Sequence, residues 1–146
     1  MTTANLPDWI EIDAPCLVVW GNAQQHIKTA LVVRITPTGQ VVVYDGREER
    51  RFMPYTFNAD GTARVYITGS YSSVELYPTH HPKAPLLLAM RDRQRAWATV
   101  KARMDRLERV ETGRSDGDAL QCAVELTEAL DAWRRAKEAL QAHHAN

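Results

Sequence analysis

Four arginines, Arg47, Arg50, Arg51 and Arg64, are interleaved with Tyr44, Phe52, Tyr55, Phe57, Tyr66 and Tyr71 in the first half of the chain. Guanidinium groups beside aromatic rings can hold a single-stranded nucleic acid twice over, by charge on its phosphates and by stacking on its bases. The same mixture is the profile of a protein–protein hot spot. Alternation puts Phe52 and Arg51 on opposite faces of a strand, with Phe52 inward, while Tyr55 and Tyr71 fall on expected loops and have better claims to the surface. Arg47, Arg50, Arg51, Arg64, Tyr55 and Tyr71 are therefore the candidate contacts for a nucleic acid or a partner protein.

No other group of residues assembles into a reaction centre. His80-His81-Pro82 and His143-His144 supply imidazoles. Adjacent histidines point to opposite faces of a strand and diverge on a helix, so neither pair converges on a metal ion. Ser70, Ser72 and Ser73 sit at an expected hairpin tip with no base placed to activate them. Glu48-Glu49 lies among Arg47, Arg50 and Arg51, a stretch that reads as an edge strand kept soluble by charge. No P-loop, Gly-x-Gly-x-x-Gly, His-Glu-x-x-His or Cys-x-x-Cys motif occurs. The expectation is a binding protein with no catalytic residues, metal, cofactor or small-molecule substrate.

Over 146 residues the 18 Lys and Arg balance the 18 Asp and Glu, so any attraction for a polyanion has to be local. The charges are segregated along the chain. Residues 83–109 hold eight basic and three acidic side chains, and residues 116–146 hold six acidic and three basic. Two helices of opposite sign should attract across a hairpin, which fixes orientation more than it adds stability. The alternative is that Arg91, Arg93, Arg95, Lys101, Arg103 and Arg106 face a polyanion themselves. The first residues carry neither a basic segment nor an apolar run, so the expectation is a cytoplasmic protein with no membrane span. Cys16 and Cys122 then read as buried free thiols.

The elements that must position these groups change character once, between Pro78 and Pro85. Before that point short β-branched runs alternate with turns: Cys16–Trp20, Ile27–Thr36, Val41–Tyr44, Arg47–Phe52, Arg64–Thr68 and Ser73–Tyr77. Asp45-Gly46 predicts a two-residue hairpin turn between the third and fourth runs. Five or six short strands in so little chain predict a small antiparallel barrel, SH3-like by the long bent second strand, with an OB-type barrel as the alternative. After Pro85 the apolar residues recur at helical spacing. Met90, Trp97 and Met104 form one seam and Leu86, Val100 and Leu107 another. A second helix places Leu126, Trp133 and Leu140 on one seam and Ala123, Leu130 and Lys137 on the other. Gly113 can end the first helix, and Ser115-Asp116-Gly117-Asp118 can cap the second.

The stretch Leu31-Val-Val-Arg-Ile-Thr-Pro-Thr-Gly-Gln-Val-Val-Val-Tyr-Asp-Gly-Arg-Glu-Glu-Arg-Arg-Phe52, with the exit Leu76-Tyr-Pro-Thr-His-His-Pro82, resembles small β-barrel proteins encoded by bacteriophages of actinobacteria. The resemblance covers about residues 16–90. It implies an accessory protein acting on a host component during infection, and it supplies no catalytic residues.

The sequence thus predicts an α+β chain in three parts: an N-terminal arm over 1–13, an SH3-like barrel over 14–79, and a helical hairpin over 80–146 with helices at about 83–112 and 116–143. The expected hairpin interface is Met90, Trp97, Val100, Met104, Leu107, Leu126, Leu130, Trp133 and Leu140. Its outer faces can dimerise into a four-helix bundle or dock on a host protein.

Overall fold

A computed structural model of the chain describes residues 6–21, 25–66 and 72–145. They form an α+β structure in two compact units, Met1–Ala84 and Pro85–Asn146. The first is a six-stranded antiparallel, nearly closed barrel, and the second consists of two long helices.

The strands are β1 (Pro15–Trp20), β2 (His26–Ile35), β3 (Val41–Tyr44), β4 (Glu49–Phe52), β5 (Ala63–Tyr66) and β6 (Ser73–Pro78). Their spatial order is β4-β3-β2-β1-β6-β5, so β1 runs between its sequence neighbour β2 and the last strand, β6. β4 and β5 end the order. A single bridge between Phe57 and Ala63 follows the β4 edge round towards β5. Curvature comes from β2, where the pairing slips at Val33: Val32 faces Val43 but Arg34 faces Val42. An extra residue on one strand bends it and increases its twist, as a small barrel requires.

The barrel core follows strand alternation. Cys16 and Val18 of β1, Ala30 and Val32 of β2, Val41 and Val43 of β3, Phe52 of β4, Ala63 of β5, and Val74 and Leu76 of β6 are buried together. The described part of the arm belongs to this core, because Leu6, Trp9 and Ile10 pack against it. The Trp9 indole N–H donates to the Gly61 carbonyl at 2.8 Å, and the Asp13 N–H donates to Val32 O at 2.7 Å. Gly61 has φ +84°, and a Cβ there would lie 2.9 Å from Trp9 Nε1, so the contact needs a residue without a side chain.

The β3–β4 turn differs from the two-residue hairpin that Asp45-Gly46 predicts. Tyr44 pairs with Glu49, leaving the four residues Asp45–Glu48 as the loop. The Asp45 carboxylate is the reason. Its Oδ1 accepts the N–H groups of Arg47 at 2.9 Å and Glu48 at 3.0 Å, closing a wider side-chain turn in place of the tight one.

The helices are α1 (Ala84–Glu111) and α2 (Ala119–Ala145). Gly113 follows α1 at φ +76°, and Asp118 caps α2 by accepting the Leu120 N–H at 3.0 Å. Trp97 and Trp133 meet with ring centroids 5.1 Å apart, and Glu125 lies 3.6 Å from Arg103 and 4.0 Å from Arg106, which makes the pair an antiparallel hairpin. The deepest positions of α2 are Cys122, Ala129 and Leu140, with Leu126 and Trp133 half-buried beside them. Of the second expected seam of α2, Ala123 is half-buried but the other two positions turn outward: Leu130 keeps 39 % of its surface and Lys137 is exposed. On α1 Val100 is fully buried and Met90 and Leu107 are half-buried, while Trp97 and Met104 remain 40 % and 45 % exposed. Small residues at 122 and 129 are the ones a closely approaching helix selects, and the stripe rotates towards them.

Candidate binding site at one end of the barrel

β1 ends at Trp20 directly opposite His26, where β2 begins. Alternation then fixes what faces inward at this end. Trp20 follows Val18 on the core side, His26 and Lys28 precede Ala30 on the same side of β2, and Arg50 pairs with the core residue Val43. The barrel interior is therefore apolar in the middle and becomes aromatic and cationic at this end.

The groups touch. The Arg50 guanidinium carbon is 4.7 Å from the centre of the Trp20 ring and Lys28 Nζ is 6.0 Å from it. The His26 ring stacks on the same indole, with centroids 5.4 Å apart and planes 23° from parallel. Arg50 donates from Nη2 to Glu48 Oε1 at 2.7 Å, and its Nε lies 4.0 Å from Asp45 Oδ2. That buried Nε has no hydrogen-bond partner among the described residues. The Asp45 carboxylate is itself 2 % exposed. Burial would raise its pKa, but the N–H groups of Glu48 and Arg47 and the charges of Lys28 and Arg50 outweigh it and hold the carboxyl below the usual range. An exposed imidazole stacked on an indole, with cations beside it, suits a ligand that is both flat and anionic.

The six candidates from the sequence do not share one surface. Arg50 is in this cluster, and Arg47 sits exposed on the Asp45–Glu48 loop beside it. Arg51 is exposed on the outer face, where Val42 separates it in register from Arg34. Among the described residues neither Arg47 nor Arg51 enters an ion pair. Arg64 does: it donates to Glu75 at 2.9 Å, and Tyr66 and then Glu75 hold its charge in place. Tyr55 is 84 % exposed in the short 3₁₀ turn Pro54–Thr56, on the far side of β4 from the loop that carries Arg47. Tyr71 lies outside the described residues. Trp20, His26, Lys28 and Asp45 were missed by the sequence reading. The signal that finds them is the alternation already used for Phe52, since a strand that turns Phe52 inward turns Arg50 inward as well.

A second polar chain runs over the outer face of β5 and β6. His81 Nε2 lies 3.2 Å from Asp60 Oδ2, and His81 Nδ1 accepts the Lys83 N–H at 3.0 Å. Tyr77 packs its ring edge against His81 and donates its hydroxyl to Glu75; burial, with Glu75 beside it, pushes the phenol above its usual range. Both imidazole nitrogens are engaged within the first unit. Among the described residues no three His, Cys, Asp or Glu groups gather around a possible metal position. No helix of the described residues is long and apolar enough to cross a membrane. Cys16 and Cys122 are free and buried.

No protein family matches the chain, and neither does any curated protein or solved structure. The fold and the site define its class: a small α+β barrel protein carrying an aromatic–cationic cluster at one end of the barrel.

Proposed function

We propose that the chain is a non-enzymatic accessory protein of the phage-like kind that the sequence resemblance implies, and that its barrel engages single-stranded nucleic acid at the Trp20 end. The observation that carries this reading is the Arg50 guanidinium 4.7 Å over the Trp20 ring, with Lys28 at 6.0 Å. Stacking on an aromatic ring is sequence-tolerant, because every base has a π-face; the exposed His26 ring, itself stacked on Trp20, offers one, and the nearby cations Lys28 and Arg47, in no ion pair among the described residues, supply the backbone attraction. The whole chain is neutral, so affinity comes from this local group.

The test is anisotropy of a labelled mixed-sequence oligonucleotide at several salt concentrations. Two phosphate contacts give a slope of about −1.4 in log affinity against log salt for a single strand. Lys28→Ala and Arg47→Ala should each flatten it. A salt-independent signal, or a slope untouched by both substitutions, refutes the reading.

A protein occupant is the second reading, favoured by Leu31, Val33 and Tyr44, which stand 46 %, 38 % and 44 % exposed on the outer face of β2 and β3. Affinity capture from a bacterial lysate with and without nuclease separates the two. Partners lost with nuclease belong to the first reading, and one retained protein, released by Tyr44→Ala, belongs to the second.

A further inference from the structure

Alternation lays a polar patch over the outer face of the barrel between the Phe57 bridge and β6. Ala63 is a core residue paired with Phe57 on one side and Leu76 on the other, so its neighbours Thr62 and Arg64 point outward, beside Thr56 and Asn58 in one direction and Glu75 in the other. These five side chains line a cleft of about 240 Å³. Each of them is held. Thr56 Oγ1 donates to Met53 O at 2.6 Å, Asn58 Nδ2 donates to Thr62 Oγ1 at 3.0 Å, and Thr62 Oγ1 donates in turn to Asp60 Oδ1 at 2.6 Å. Arg64 Nη2 donates to Glu75 Oε1 at 2.9 Å, and the Tyr77 hydroxyl donates to the other Glu75 oxygen. The Glu75 side chain is 16 % exposed, so burial fixes its carboxylate as well as its partners do. Tyr66, two residues beyond Arg64 on the same face of β5, keeps 65 % of its surface and lies beside the guanidinium.

This lining selects a ligand by exclusion and by fit. Arg64 and Glu75 cancel, so a phosphate meets Glu75 and an ammonium meets Arg64, and neither gains. An apolar ligand would leave hydroxyl, amide and charged groups without water or partners. A neutral molecule whose polar groups each donate and accept, as hydroxyls do, can serve both kinds of group at once. Side chains already ordered by their own network lose little further freedom on binding. The Tyr66 ring adds a flat apolar face to lie against the C–H face of a pyranose. The volume leaves room for one ring. We infer that this cleft binds a single sugar residue, either free or at the end of a glycan, independently of what the Trp20 end holds.

Nuclear magnetic resonance titration of the isotope-labelled full chain tests this with the methyl glycosides of glucose, galactose and mannose and with N-acetylglucosamine. At least one should shift the amides of residues 56–66 and 73–77 and saturate, with a dissociation constant of about 1 mM. Arg64→Met and Asn58→Ala, both at exposed positions, should keep native circular dichroism and each weaken binding about tenfold or more. An oligosaccharide ending in the same sugar that binds tighter than the methyl glycoside identifies a glycan as the source, and equal affinity identifies the free sugar. No saturable shift from any of these sugars overturns the inference. Shifts that both substitutions leave intact, or inorganic phosphate binding at the same amides more tightly than sugar, overturn it too. Should either variant lose its native spectrum, Arg64→Lys and Asn58→Asp replace them under the same criteria. The oligonucleotide titration reads the Trp20 end through Lys28 and Arg47, so the two proposals can fail separately.

Discussion

Replacing Asp45 with Asn should make the barrel less stable and its binding end stickier at the same time. The amide keeps an oxygen to accept the Arg47 and Glu48 N–H groups at 2.9 and 3.0 Å, so the loop retains its shape, but the charge facing Arg50 and Lys28 is gone. Hydrogen bonds to a carboxylate contribute roughly 1 kcal/mol more than those to a neutral acceptor, so stability at neutral pH should fall by about 1–2 kcal/mol. The pH dependence follows from the lowered pKa of Asp45. The carboxylate stabilises the fold at pH values above its unfolded pKa, about 3.9, and that contribution disappears as pH falls through the lower folded value. Wild type and variant should therefore differ by a constant amount near neutrality and converge in acid. Binding moves the other way. Removing one negative charge about 6 Å from a phosphate in a watery dielectric is worth about 0.7 kcal/mol, or about threefold in affinity. The salt slope should steepen by about 0.7, one effective charge. Urea unfolding at a series of pH values and the oligonucleotide titration read both effects. A variant that loses stability without gaining affinity shows that Arg50 is a structural cation, and the proposed site is then wrong.

Arg47→Ala should weaken oligonucleotide binding and flatten its salt dependence, whereas Arg64→Ala, whose guanidinium is held by Glu75 at 2.9 Å, should alter the titration little. Gly61→Ala should lower stability by about 1–2 kcal/mol, because the residue sits at φ +84° and its new Cβ would lie 2.9 Å from Trp9 Nε1; denaturant unfolding measures it. Neither thiol should react with a disulfide reagent in the native state, since both are buried and burial pushes the Cys16 pKa up to about 12. Labelling that outpaces global unfolding would contradict the burial of both cysteines.

The strand and helix positions were legible because each element carries its own signal: β-branched runs between turns, then apolar residues at helical spacing. Phe52 was readable as core from alternation alone. What remained hidden depended on particular side chains. Nothing in Asp45-Gly46 announces that the aspartate would take two backbone N–H groups and widen the turn, as it does through Arg47 and Glu48. Arg50 and Arg64 look alike in the sequence, and each is paired with a glutamate, Glu48 at 2.7 Å and Glu75 at 2.9 Å, yet Arg50 also lies over Trp20. The residue that distinguishes them, Trp20, is distant along the chain and becomes a neighbour only through strand pairing. The sequence places Leu6, Trp9 and Ile10 in an arm, because an apolar residue outside any periodic run shows its destination only once the barrel it packs against exists.

The place of β1 between β2 and β6, with Trp20 facing Val74 and Cys16 facing Pro78, has a consequence for synthesis on the ribosome. The first strand has only one of its two neighbours until almost the entire first unit has emerged, and until then one edge lacks hydrogen-bond partners. Helices assemble from contacts close in sequence, whereas pairing between the two ends of a domain must wait for a long loop to close. The nascent chain accordingly carries an open β edge through most of its translation, a template for sticking to other chains. Slowing translation beyond Pro78 should improve the yield of folded material, and pausing before it should lower that yield.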